Sequence, residues 1–314
     1  MLMARDAMLV LTDLPTGAGW EYGGFSYGLE PLSLPPPGAP DAVPEHSMSG
    51  SGRVSGYDET CRELGRMSEN GAGAVRVERC DGDQLYWFRW ITGHQVSFVL
   101  WRLLAQLMNE FSELGRVPDS GRAAVCHYVH GYSTMLLYTG SCTRATYRNL
   151  IRPSMRLRHP AFSGSWAPDY VSVRDLFRAR TPAFMRSEDV LRAVRLHQLV
   201  HTGIAAKLVP DGRSLLQQSD VRVQDMRLMH AIYDNYFMTL RATVSRHEVV
   251  AQLLRRLVAI AQDVTVNGLT LADDERSPEL CEPEVRRCER DFGAVLTRIA
   301  ACAAADVPMR AAGP

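Results

Sequence analysis

The chain has almost no lysine: one residue, Lys207, stands beside 34 arginines. A GC-rich coding sequence accounts for that bias more simply than any chemistry does. Nor is there charge of one sign to spare. Lys+Arg and Asp+Glu number 35 each, so no global field draws the protein to nucleic acid or to an anionic membrane, and a small-molecule partner is expected. Long apolar runs are missing: the one in MLMARDAMLVLTDLP is interrupted by Asp6 and Asp13, too short for the roughly 20 residues of a membrane span and poor as the core of a signal peptide. Cysteine pairing motifs are missing too. Cys61, Cys80, Cys126, Cys142, Cys281, Cys288 and Cys302 are odd in number and scattered, with no C-x-x-C pair, which argues against a Cys-rich zinc site or a disulfide framework. They read as reduced thiols, and a cytoplasmic location is expected.

What is present is a globular composition, 46% apolar and 22% charged over 314 residues, enough to bury a sizeable core. Periodicity predicts a mainly α fold: a helical bundle with an irregular N-terminal arm and a short β-hairpin. The arm, residues 1–60, is dense in Gly, Pro and Ser around SLPPPGAPDAVPEHSMSGSG and is expected to be an arm or lid outside the core. A helical domain is expected over 61–306, and a flexible tail over 307–314. Within 75–90, VRVERCDGDQLYWFRW alternates around a DGD turn and predicts the hairpin.

From Gly93 the apolar residues Phe98, Trp101, Leu104, Leu107, Met108 and Phe111 recur at three and four, which predicts an amphipathic helix ending near Gly115. Further helices are expected over 122–138, over 187–207 with Ser187 as cap, over 215–263 with one break near Ser245, and over 283–304. A short turn is expected over 147–156, and HPAFSGSWAPDY, broken by Pro160 and Pro168, is expected to be a loop.

Among candidate sites, the glycines of TGAGWEYGG lack the helix that a dinucleotide loop must open. His197 and His201, four apart, share a helix face. A zinc-protease reading needs Glu at 198, where Gln198 stands, so H-E-x-x-H hydrolysis is excluded. A heme ligand survives that test, because one neutral imidazole on an apolar helix suffices. His94 follows Gly93 at the head of ITGHQVSFVLWRLLAQLMNE, where a cavity rim or an ordinary helix N-terminus are both compatible. His127 and His130 share a face but have no second half of a metal site, and are taken as structural. Arg144 and Arg148 follow the Gly140 turn, in a segment made polar by Ser141, Thr143 and Tyr147.

ITGHQVSFVLWRLLAQ together with the later His-bearing helix resembles the tryptophan 2,3-dioxygenase superfamily, in which a distal histidine helix, a polar substrate segment and a proximal histidine helix follow in that order. Trp101 stands one residue later than the dioxygenase spacing, and Met135, Leu136 and Leu137 occupy the neighbourhood of their carboxylate-binding Arg. HPAFSGSWAPDY brings the chain closer to the heme-dependent L-tyrosine hydroxylases of lincosamide and pyrrolobenzodiazepine biosynthesis, a branch of the same superfamily. A related branch acting on a methylated tyrosine carries Cys four residues after the proximal His, where this chain has His201 after His197.

The resemblance, over about 85–265, implies conversion of L-tyrosine to L-DOPA with hydrogen peroxide in secondary metabolism. It implies heme b, free or covalently attached, with His197 as the preferred axial ligand, His201 as second ligand, cross-link or neighbour, and His94 as catalytic acid/base. It implies substrate contacts from Arg144, Tyr138, Ser163, Phe162 and Trp166, and it leaves a homodimer open. Two rivals remain: a tryptophan or indole dioxygenase using dioxygen, and a non-catalytic helical ligand-binding protein in which His94 only caps a helix.

Overall fold

The architecture is that of a computed structural model, which describes residues 27–42, 51–70, 82–178, 180–209, 213–220, 225–269 and 276–305. The glycine loop at 16–24, most of the Pro/Ser stretch at 43–50, Cys80, the first half of the expected hairpin, the PDG turn at 210–212 and the tail at 307–314 lie outside them.

In chain order the main elements are β1 (Leu32–Leu34), α1 (Ser51–Asn70), α2 (Gly82–Leu114), α3 (Asp119–Thr139), α4 (Arg152–Arg158), α5 (Glu188–Leu208), α6 (Met226–Tyr236), β2 (Thr239–Arg241), α7 (Arg246–Asn267), α8 (Pro283–Arg290) and α9 (Phe292–Ala305). The fold is mainly α, as expected, and the described residues include one short strand pair. Its centre is α2, whose residues from Phe88 to Leu104 are buried on every side except at His94. A helix apolar all round is one with neighbours all round. It packs on α3, and α3 on α5, while α9 and α7 close over α1 and the remaining flank. Gly93 permits a close approach of α2 to α3: a Cβ there would fall 2.5 Å from Thr139 Cγ2 and 3.0 Å from Tyr138 Cδ1. The glycine beside His94 thus serves helix packing.

Three expectations are corrected. Residues 82–90 are not the second strand of a hairpin but the first turns of α2. Leu85, Phe88 and Ile91 or Thr92 are buried at helical spacing, and Asp83 in the first turn complements the helix dipole. The strand pair lies elsewhere and is parallel, Leu32, Ser33 and Leu34 facing Thr239, Leu240 and Arg241. Part of the arm is core: Leu32 and Leu34 are fully buried, and Gln252 fixes the strand by accepting from Ser33 N and donating to Ser33 O. The stretch 215–263 is interrupted more than once. Asp225 caps α6, accepting from the amides of Arg227 and Leu228, and β2 intervenes before Ser245 starts α7 in a capping box with Glu248.

Two buried cations lock the bundle. Arg89 donates to both Asp263 oxygens (2.8 and 3.1 Å), to Ser141 Oγ and to the Gly268 carbonyl, and Tyr138 adds a hydroxyl donor to Asp263 at 2.7 Å. Lys207, buried on α5, donates to the carbonyls of Gly140 (3.0 Å) and Cys142 (2.7 Å), which satisfies the C-terminal end of α3 and pins it to α5. None of the described cysteines is in a disulfide. Among the described residues no helix is long and apolar enough to cross a membrane.

Candidate active site

Ser187 opens α5 by accepting from the Val190 amide, and two and a half turns later the helix delivers His197 into the core, 3% exposed. Tyr132 of α3 stacks on it with ring centroids 4.6 Å apart, and Phe177 lies 4.4 Å away. Burial, helped by His201, pushes the imidazole pKa down to about 3, so the ring is neutral. Its Nδ1 is buried with no hydrogen-bond partner among the described residues. His201, one turn on, is 6.0 Å from His197 between centroids and is exposed. The shared helix face therefore runs from core to surface within one turn. No group of three or more His, Cys, Asp or Glu suited to a bare metal ion occurs among the described residues.

The rings around His197 form a closed circuit: His197 to Tyr132, Tyr132 to Trp101 (5.0 Å), Trp101 to Tyr170 (5.0 Å), Tyr170 to Phe177 (6.2 Å) and back to His197. Segments far apart in sequence supply them: Trp101 from α2, Tyr132 from α3, Tyr170 and Phe177 from the connection 159–187, and His197 from α5.

His94 lies at a second aromatic cluster. It is sandwiched between Trp90 (4.2 Å) and Phe237 (4.5 Å, stacked), and Nδ1 is 2.6 Å from the Trp90 carbonyl. A carbonyl only accepts, so Nδ1 carries the proton and Nε2 is left as the basic nitrogen. Burial lowers this pKa to about 4, although the bond to Trp90 opposes the shift. Phe98, one turn along α2, links the clusters, 6.4 Å from His94 and 5.5 Å from Trp101. The imidazoles are thus joined through Phe98, Trp101 and Tyr132.

The structure brings some expected substrate residues to His94. Phe162 is buried 4.9 Å from Tyr236, 5.5 Å from Tyr233 and 6.4 Å from Phe237. Trp166 is buried behind it, 5.7 Å away. The loop carrying both is held down by Asp169, whose carboxylate accepts from Arg241 together with Asp234. Ser163 lies nearer the surface and spends its hydroxyl on the Ser165 amide. Arg144 is exposed in the short turn Arg144–Thr146. Tyr138 is turned toward Asp263 in the interior network. Sequence reasoning missed Tyr132, Tyr170, Phe177 and Phe237. Tyr132 was detectable as an aromatic on the buried face of a predicted helix, whereas Phe237 lay inside a segment read as continuous helix.

Residues 73–199 match the family model described as SfmD 3-methyl-L-tyrosine peroxygenase. Over that stretch, which contains α2, α3 and the first half of α5, the chain is similar to a family of peroxygenases. The match includes His94, Trp101, Tyr132 and His197 and ends two residues before His201. No curated protein matches the chain.

Proposed function

We propose that the protein is a heme-dependent peroxygenase that hydroxylates the phenol ring of L-tyrosine at its 3 position, consuming hydrogen peroxide and releasing L-DOPA and water. The observation that carries this reading is His197: a neutral, deeply buried imidazole whose Nδ1 has no partner among the described residues. A group that needs one imidazole and flat apolar walls suits this donor and its ring-lined surroundings, and the similarity of 73–199 to a peroxygenase family points the same way. His197 would hold the heme, which supplies oxygen-atom transfer from peroxide when bound.

The chain's own residues do the rest. His94 Nε2, neutral at physiological pH, takes a proton from the peroxide and returns it to the departing oxygen as water. The Nδ1–H bond to Trp90 fixes the ring for both transfers. Phe162, Phe237 and Trp90 offer faces on which a phenol ring stacks and from which water is excluded. Arg144 is the cation assigned to the substrate carboxylate, and His201 lies too exposed to share the role of His197.

The name of the matched family favours a second substrate, 3-methyl-L-tyrosine, with the same roles for His94 and His197. The test is an absorption spectrum of the heme-reconstituted protein and its His197→Ala and His201→Ala variants, followed by peroxide turnover with L-tyrosine and 3-methyl-L-tyrosine. Loss of the Soret band in His197→Ala alone, with a hydroxylated product gaining one oxygen, is expected. An unchanged heme spectrum in His197→Ala would refute the assignment.

A further inference from the structure

The circuit of five rings contains a second buried nitrogen without a partner. Trp101 is 4% exposed, and its Nε1 meets no acceptor among the described residues. Buried polar groups are almost always hydrogen-bonded, because leaving one unmade forfeits its hydration for nothing. Two such atoms, Trp101 Nε1 and His197 Nδ1, in one closed circuit of side chains are a coincidence that a ligand removes. Both rings touch Tyr132, one at 5.0 Å and the other at 4.6 Å.

The chemistry of the ligand follows from the donor. An indole N–H donates and cannot accept, so its partner is an acceptor. The other four rings of the circuit are an indole, two phenols and a phenyl, and no carboxylate or guanidinium is among its members. A carboxylate would enter such a site at a large desolvation cost. A neutral hydroxyl oxygen satisfies the N–H without that cost.

We infer that Trp101 is a ligand-binding residue whose indole N–H donates to a neutral hydroxyl oxygen bound within the Trp101–Tyr132–His197 aromatic circuit. The inference rests on the peroxygenase reading, under which two reactants carry such an oxygen: the phenol of the substrate and hydrogen peroxide. In either case Trp101 orients the oxygen without exchanging a proton.

The test uses the heme-loaded full chain and its Trp101→Phe variant, which keeps a ring and loses the N–H. Calorimetric titration with L-tyrosine and with L-phenylalanine, its counterpart without the hydroxyl, reads the phenol arm. If the phenol is the partner, the wild type binds tyrosine about tenfold tighter than phenylalanine, a difference of about 1.4 kcal/mol. Trp101→Phe then erases the difference with phenylalanine affinity unchanged. If peroxide is the partner, tyrosine affinity stays and the peroxide concentration giving half-maximal rate rises about tenfold. Neither shift occurring, in protein with a wild-type heme spectrum, overturns the role of Trp101.

Wild-type protein that holds heme but binds neither amino acid overturns the aromatic-substrate reading instead, and the peroxide arm then decides Trp101 alone. Should Trp101→Phe fail to fold, benzothienylalanine at the same position replaces the N–H by sulfur with the shape retained and gives the same comparison. A residue that only packs would lower the thermal midpoint and move neither affinity.

Discussion

Tyr132 lies almost flat on His197, with centroids 4.6 Å apart and ring planes inclined by 26°. Because the two come from facing helices, the stack fixes the rotation of the imidazole through the packing of α3 on α5. An aromatic pair of this kind is worth about 0.5–1.5 kcal/mol beyond its buried area. Tyr132→Leu should therefore weaken heme retention about three- to tenfold in a competition titration with apomyoglobin, and Tyr132→Phe should leave it within twofold. Equal retention by the Leu variant would show that the stack plays no part in holding the imidazole.

His94 should govern rate without governing heme content. His94→Gln removes the Nε2 base, and a positioned acid/base contributes about 10²- to 10⁴-fold, so turnover should fall by that order while the Soret intensity stays. Turnover faster than a tenth of wild type would remove His94 from the proton path.

The pH dependence of stability has a definite sign. His94 titrates near 4 in the folded chain, against about 6.5 when unfolded. Between these values the unfolded state binds more protons. The contribution of His94 is fully present above about pH 6.5 and is lost as pH falls toward 4. Urea midpoints of the heme-free protein should drop across that window, and His94→Gln should flatten part of the slope. Identical slopes for the two proteins would contradict the burial of this imidazole.

The Arg89–Asp263 pair is nearly inaccessible, with side-chain exposures of 3% and 0%. Removing one partner leaves a buried charge uncompensated. Arg89→Met should cost about 3–5 kcal/mol of unfolding free energy. Tyr138→Phe, which removes one donor to the same carboxylate, should cost about 1.5–3 kcal/mol, the range for a hydrogen bond to a charged group. Chemical denaturation measures both, and a Tyr138→Phe protein of unchanged stability but raised KM for tyrosine would place that hydroxyl at the substrate instead.

Gly93→Ala puts a methyl carbon within 2.5 Å of Thr139 Cγ2. Overpacking of this kind costs about 1–3 kcal/mol, and the added Thr139→Ser exchange, which removes the obstructing methyl, should return part of it. Failure of the double variant to recover would mean that the strain lies against Tyr138.

The helices that could be read from sequence were those with one wet face or a strong cap. Ser187 with Glu188 and Asp189, and Ser245 with Glu248, mark real starts because their chemistry is local. The opening of α2 was misread for a physical reason. Its first turn, Gly82 to Gln84, is exposed and reads as a turn, and the aromatic-rich LYWFRW that follows satisfies alternation as readily as a helical spacing. The strand pair escaped notice because Leu32–Leu34 and Thr239–Arg241 are each three residues long and join across the chain. His94 and His197 stood out by residue type and order, while their setting did not, since ring circuits are closed by tertiary packing and leave no period. Tyr138 and Ser141 looked available to a substrate only because Arg89 and Asp263, their partners, lie far off in sequence.

Lys207 makes the chain a counter of its own opening. Its amine is the only one carried by a side chain, and it is folded inward onto two carbonyls at the end of α3. Acylating reagents and amine-directed cross-linkers have no exposed lysine to find while α3 and α5 stay together. Each molecule that acquires a label at position 207 has separated them at least once, so the rate of labelling, read by mass, times the exposure of the interface that carries Tyr132 and His197.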